Sequence, residues 1–179
     1  MHALHAVRSD MTSHQAFEAP TVIDPADYRA VLGRFVTGVT VMTTVAPGGV
    51  RVGVTANSFN TVSMDPPLIL WSLALKAPSL PVFRGQEHFA VNILAREQRD
   101  LALKFARPSP DKFSGVDSSE GLGGVPLLTG AMAYIECSVE HRYPGGDHEI
   151  IVGRILRMDG YDGDPLVFHG GAFRDLIDE

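Results

Sequence analysis

The chain has 179 residues, 45% of them hydrophobic and 20% charged, the balance of one water-soluble globular domain and not of a disordered, collagenous or membrane-spanning protein. Lys plus Arg number 15 against 21 for Asp plus Glu, a formal net charge of −6; this argues against a nucleic-acid binder with a broad basic face and leaves room for a local basic pocket. Cys137 is the one cysteine, so an intramolecular disulfide and a Cys-based zinc site are excluded, a reducing cytosol is the expected compartment, and core filling is the expected role of the thiol.

Residues 1–23 hold His2, His5 and His14 among short apolar residues with no sustained period. They read as a flexible N-terminal arm, and the histidines as solvated groups rather than metal ligands. No continuous apolar run suits a signal peptide, and the most apolar window, Leu68 to Leu75, is far short of the roughly 20 residues a membrane helix needs. A single domain over 24–179, neither secreted nor inserted, is therefore expected. Asp24-Pro25-Ala26-Asp27 is a helix start, with Asp24 as cap and Pro25 at the first helical position. The helix should run to about Phe35 and turn Tyr28, Val31, Leu32 and Phe35 toward a core.

From Val39 the texture becomes β-branched. Val39 to Val45 and Val50 to Thr55 predict two strands joined by the turn Pro47-Gly48-Gly49. Leu68 to Leu73 and His88 to Leu94 predict a third and a fourth, with one or two helical turns between Pro78 and Arg84. Arg96 to Phe105 predicts an amphipathic helix and Ser114 to Pro126 a glycine-rich irregular segment. Ala131 to Tyr143 and His148 to Gly160 read as two long strands around Pro144-Gly145-Gly146-Asp147, and Leu166 to His169 as a short last one. Strand pairs on short turns favour a mainly β, antiparallel sheet that closes into a small barrel with a few peripheral helices, because closure removes exposed edges. A doubly wound fold is rejected, since strand–helix alternation and a Gly-x-Gly-x-x-Gly turn are both missing.

The densest polar cluster runs from Gly53 to Pro67, where a strand enters the hydroxyl and amide side chains of Thr55, Asn57, Ser58 and Ser63 before a double proline. These groups can edge a heterocycle, or cap turns. Gly53 inside a strand allows close approach of a backbone or a flat ligand. Lys76, Ser79 and Arg84 gather where a short helix begins, a local cation and donors for an anionic phosphate, or else a solvated surface. Asn92 in an apolar strand needs partners for its amide, from a bound ligand or from a neighbouring loop. Trp71 reads as core packing rather than a stacking platform.

Several segments together resemble the flavin reductase family. They are Thr37-Gly38-Val39-Thr40-Val41, the Gly53 to Pro67 stretch, Phe89-Ala90-Val91-Asn92-Ile93-Leu94, Lys112-Phe113, Gly145-Gly146-Asp147-His148 and Pro165-Leu166-Val167-Phe168-His169-Gly170-Gly171. They fall in the family's order and span about residues 26 to 173. The resemblance implies an antiparallel Greek-key split β-barrel that reduces FMN or FAD with NADH or NADPH, forms a homodimer and hands reduced flavin to a transient partner oxygenase. It implies flavin contacts from Thr55, Ala56, Asn57 and Ser58, help from Ser63, a phosphate-side group at Lys76 and Ser79, and His148 beside the nicotinamide. A turn histidine bonded to Asp147 is the plainer role for His148. The chain departs from the family at Phe168-His169-Gly170-Gly171-Ala172-Phe173, where relatives often carry tyrosines. Two other readings share the barrel: a non-enzymatic flavin- or haem-binding module, and an enzyme like pyridoxamine-phosphate oxidase.

Overall fold

The β-branched runs do form the strands that build the molecule. The structure, a computed structural model, describes residues 22–176; the arm histidines His2, His5 and His14 lie outside the described residues. Contacts divide the chain into two compact units with the boundary between Leu32 and Gly33. In the first, helix α1 (Pro25–Leu32) starts as its sequence directs: the Ala26 N–H donates to Asp24 Oδ1 at 2.6 Å and the Tyr28 N–H to the Asp24 carbonyl at 2.9 Å. It stops before Gly33, short of Phe35. Among the described residues none of the helix is buried, and Tyr28, Val31 and Leu32 are each more than half exposed, so the expected core-facing stripe has helical spacing but is exposed.

In the second unit, β2 (Thr40–Ala46), β3 (Val50–Ala56), β4 (Asn60–Met64), β5 (Pro67–Ala74), β6 (His88–Ile93), β9 (Ala133–Gly145) and β10 (His148–Gly160) make one antiparallel sheet in the order β3-β2-β6-β9-β10-β5-β4. Its two edge strands, β3 and β4, are consecutive in the chain and joined only by Asn57, Ser58 and Phe59. A three-residue link cannot span seven strands laid flat, so the sheet curls until its edges meet. The edges are not hydrogen-bonded as a ladder, which leaves a seam. Within the link, Ser58 bonds to β5, its Oγ accepting the Ser72 N–H at 3.0 Å and donating to the Ser72 carbonyl at 3.2 Å.

Inside the curl, strands from all round the sheet supply Met42, Ile69, Trp71, Phe89, Cys137 and Ile151 to one buried cluster. Trp71 is fully buried, edge-on to Phe83 at 5.1 Å and tilted on Phe89 at 5.9 Å, so it packs and offers no face to a ligand. Burial pushes the Cys137 thiol up to about 12, helped by the neighbouring Glu136. Val39, just before β2, and Val41 on its opposite face join a second cluster with Ala102 and Phe105 of helix α3 (Arg99–Ala106), with Phe113, and with Leu166. Helix α2 (Leu80–Gly85) follows β5. Five short strands form two small sheets: β1 (Thr37–Gly38) pairs with β11 (Val167–His169), which pairs with β12 (Ala172–Arg174), while β7 (Ser118–Glu120), inside the stretch expected to be irregular, pairs with β8 (Pro126–Leu128) at its end.

This packing bears on two positions where the sequence leaves alternatives open. The space above Gly53 is taken by protein and not by a flat ligand: a Cβ there would stand 2.6 Å from Phe105 Cε1 and 3.5 Å from the Phe113 ring, so glycine lets α3 close on β3. Asn92 is fully buried and satisfied within the protein. Its Nδ2 donates to the Val41 carbonyl at 3.0 Å and to Thr43 Oγ1 at 3.1 Å, and its Oδ1 accepts the Leu128 N–H at 2.7 Å. The amide ties β2, β6 and β8 together and reaches no cleft, so Asn92 leaves the set of candidate cofactor ligands.

Candidate functional site

β3 is an edge strand at the seam, and two clefts open along it. The larger, of about 820 Å³, lies between Val50 to Val54, the connection from Ala74 to Ser79, Val82 of α2, and the loop after α3 from Pro108 to Lys112. The smaller, of about 420 Å³, lies between Thr55 to Asn57, one face of α3, and the β11–β12 hairpin with Phe168 and Phe173. Ala106 borders both, and the strand runs without a break from one to the other. The register of β3 against β2, from Val50 opposite Ala46 to Ala56 opposite Thr40, fixes this layout.

The larger cleft is lined by three cations, Arg51, Lys76 and Lys112, and by no carboxylate. On a chain of net charge −6 that is a local inversion of sign, and it suits a phosphate. Lys112 is the most firmly placed. Its Nζ donates to the Phe105 carbonyl at 2.7 Å and the Gly53 carbonyl at 3.2 Å, and partial burial lowers its pKa from the ordinary lysine value. Arg51 lies over the Phe113 ring at 4.8 Å and donates to Ser118 Oγ at 3.1 Å. Lys76 is exposed. Ser79, half-buried, precedes α2, makes no side-chain cap bond and keeps its hydroxyl for the cleft that it lines.

The residues singled out from the sequence are thus sorted by the fold. Thr55, Ala56 and Asn57 come together in the smaller cleft, where Thr55 is half-buried and its Oγ1 donates to the Ala102 carbonyl of α3 at 2.6 Å. Asn57 also borders, with Ser58, a third hollow beside Phe35 and Phe59. Lys76 and Ser79 meet in the larger cleft. Ser63, half-buried on β4 beyond a bulge between Thr61 and Ser63, lines none of the three.

His148 opens β10 opposite Ala74, the last residue of β5, and the Asp147 carbonyl accepts the Leu75 N–H at 2.9 Å. The turn is therefore at the Lys76 end, away from Thr55 to Asn57. His148 Nδ1 lies 2.7 Å from Asp147 Oδ1, and that bond and the nearby charges hold the Asp147 carboxyl below its usual range. Arg51, Lys112 and Arg99 escaped the sequence reading. A strand arginine, a loop lysine and a helix arginine show no local sign that the fold makes them cleft walls. Lys112 alone had a signal, in the Lys112-Phe113 pair.

The fold agrees with comparisons to known proteins. Residues 32–176 match the family model described as flavin reductase like domain. An FMN reductase (NADH), SmoA, from Agrobacterium fabrum is 44% identical over 146 residues, covering 82% of this chain and 83% of that protein. The reductase subunit HsaB of a flavin-dependent monooxygenase from Rhodococcus jostii is 39% identical over 169 residues, covering 94% and 86%. Among solved structures, the NADH:FAD oxidoreductase SgcE6 of Streptomyces globisporus, in complex with NAD and FAD fragments, superposes with a TM-score of 0.82 at 36% identity, over 88% of this chain and 98% of that one.

Proposed function

Because the chain belongs to the flavin reductase like family, we propose that it is an NAD(P)H:flavin oxidoreductase that binds flavin along β3, with the phosphate at Arg51, Lys76, Lys112 and Ser79 and the ring beside Thr55, Ala56 and Asn57. The observation that carries the placement is the carboxylate-free trio of cations in the larger cleft, continuous along one strand with the polar end of β3. The donor set fits the group: charge and hydroxyls for a phosphate at one end, amide and hydroxyl dipoles between apolar walls for a heterocycle at the other. When bound, flavin would supply the redox chemistry, as the acceptor of the hydride that the dihydronicotinamide gives up. The chain's residues bind and orient. Lys112, fixed by two carbonyls, is a preorganised donor, while Lys76 and Arg51 add charge at the rim. Hydride transfer needs no general base, so His148, held by Asp147 beside the Lys76 connection, is assigned to positioning a nucleotide at that end.

The relatives that are reductase components of monooxygenases support release of reduced flavin to a partner oxygenase. A homodimer is inferred from apolar side chains at unpaired strand edges. Met64 and Val62 on edge strand β4 are 93% and 49% exposed, and Met158 and Leu156 on the part of β10 beyond its pairing with β5 are 70% and 48% exposed. No helix among the described residues is long and apolar enough to cross a membrane, and we place the activity in the cytoplasm. The deciding experiment follows NADH oxidation by the purified chain with and without added FMN or FAD. Turnover that requires flavin supports the reading; flavin binding without NADH consumption overturns it.

A further inference from the structure

A reductase of this kind handles two phosphate-bearing reactants, and the three cations of the larger cleft serve only one of them. The smaller cleft holds a fourth. Arg99, Ala102, Leu103 and Ala106 of α3 stand at i, i+3, i+4 and i+7, so a single face of the helix lines that cleft and Arg99 is its one charged member. The Arg99 guanidinium lies over the Phe173 ring, 5.2 Å from its centroid. Phe173 in turn is held edge-on to Phe168 at 5.6 Å, because these residues pair across the β11–β12 turn at Gly170 and Gly171, both in the left-handed region at φ 60° and 78°.

Among the described residues Arg99 has no carboxylate within ion-pair distance and no hydrogen-bond acceptor, whereas Arg84, Arg96, Arg142, Arg154 and Arg157 each have a carboxylate partner. It is exposed at the rim of the cleft that also presents Thr55 and Asn57. A planar cation with its fork free, docked on an aromatic face at the edge of an apolar cleft, is built for a phosphate arriving from solvent.

We propose that Arg99 is the anchor for the diphosphate of the nicotinamide dinucleotide, and that the Phe168–Phe173 side of the smaller cleft is where the donor enters over the flavin ring. This rests on the reductase reading above. The flavin phosphate is at the Lys76 end, so the donor's phosphates must find charge at the other end of β3, and Arg99 is the cation lining that cleft. The contact is made equally in the ground and transition states, so its loss should appear in KM and leave kcat nearly unchanged.

The test compares the full-length chain with Arg99→Ala and Arg99→Lys, using two hydride donors. NADH carries the diphosphate; 1-benzyl-1,4-dihydronicotinamide carries none. Arg99→Ala should raise KM for NADH roughly tenfold to a hundredfold, the range of a lost charge-assisted hydrogen bond. It should leave the rate with the phosphate-free donor at the wild-type value, and Arg99→Lys should recover part of the loss. Calorimetric titration with ADP-ribose, which needs no turnover, should show the same weakening. An equal loss with both donors would mean that Arg99 acts by packing on Phe173 and would overturn the proposal, as would unchanged KM and unchanged ADP-ribose affinity. If the wild-type chain reduces flavin with neither donor, the reductase reading fails, and the ADP-ribose titration still decides whether Arg99 binds a diphosphate.

Discussion

Lys76 and Ser79 are the residues on which the phosphate end can be tested first. Replacing either by Ala should weaken flavin binding, by about 1.5 to 3 kcal/mol for the direct charged contact of Lys76, with little change in rate at saturating flavin; equilibrium dialysis of FMN and steady-state kinetics check it, and unchanged affinity in both returns them to the solvated surface. Cys137 yields a pH prediction. Its folded pKa is raised from 9.0 to about 12 by burial, so above pH 9 the unfolded chain gives up a proton that the folded chain retains. Stability must then fall as pH rises, by up to about 1.4 kcal/mol per unit until the folded thiol also titrates. Urea unfolding of the wild type minus that of Cys137→Ala, from pH 8 to 10.5, isolates this slope. The individual site residues were legible to unequal degrees. Thr55, Asn57, Lys76 and Ser79 are polar side chains at strand ends and connections, where chain direction alone exposes them to a ligand. Arg51, Arg99 and Lys112 acquire meaning only when β3, α3 and the loop after it meet. Asn92 looked like a ligand group because a lone amide in an apolar strand must bond to something, and its local sequence does not say to what.

At the level of elements, Gly53 permits a close approach of α3 on β3. Gly53→Ala would drive a methyl against the Phe105 ring, 2.6 Å from Cε1, costing about 1 to 3 kcal/mol through overpacking. It should also shift the Lys112 anchors, because Lys112 bonds both the Gly53 and Phe105 carbonyls; thermal unfolding together with flavin titration should show both effects, and a variant with wild-type stability would contradict the tight packing. The elements that the sequence announced are those with one buried face and several turns of repeat: β2, β3, β5, β6, β9, β10 and α3 all appear within a few residues of their expected limits. β4 was hidden, since an edge strand with Asn60, Thr61 and Ser63 carries no apolar alternation. The three-residue strands β7, β8 and β12 are too short to show a period at all. For α1 the period was visible, but periodicity reports which face is apolar and cannot report whether anything covers it.

For the whole molecule, the free edges predict association. Light scattering of the purified chain should give twice the mass of one chain, and Met158→Glu should shift the population toward monomer; a monomer at working concentration with full activity would rule out the dimer. The seam has a consequence of another kind. A barrel that closed by an unbroken ladder would be indifferent to its cargo, since its wall would be complete whether filled or empty. Here the wall is interrupted between β3 and β4, which are joined by the three-residue link whose Ser58 makes two bonds to Ser72 of β5, worth only about 0.5 to 1.5 kcal/mol each. Flavin lying along β3 would thus occupy the margin where the cylinder is least finished. Loading would act as a clasp on that margin, and the open seam would leave the ligand a way out, the property wanted of a courier that must surrender its parcel rather than keep it.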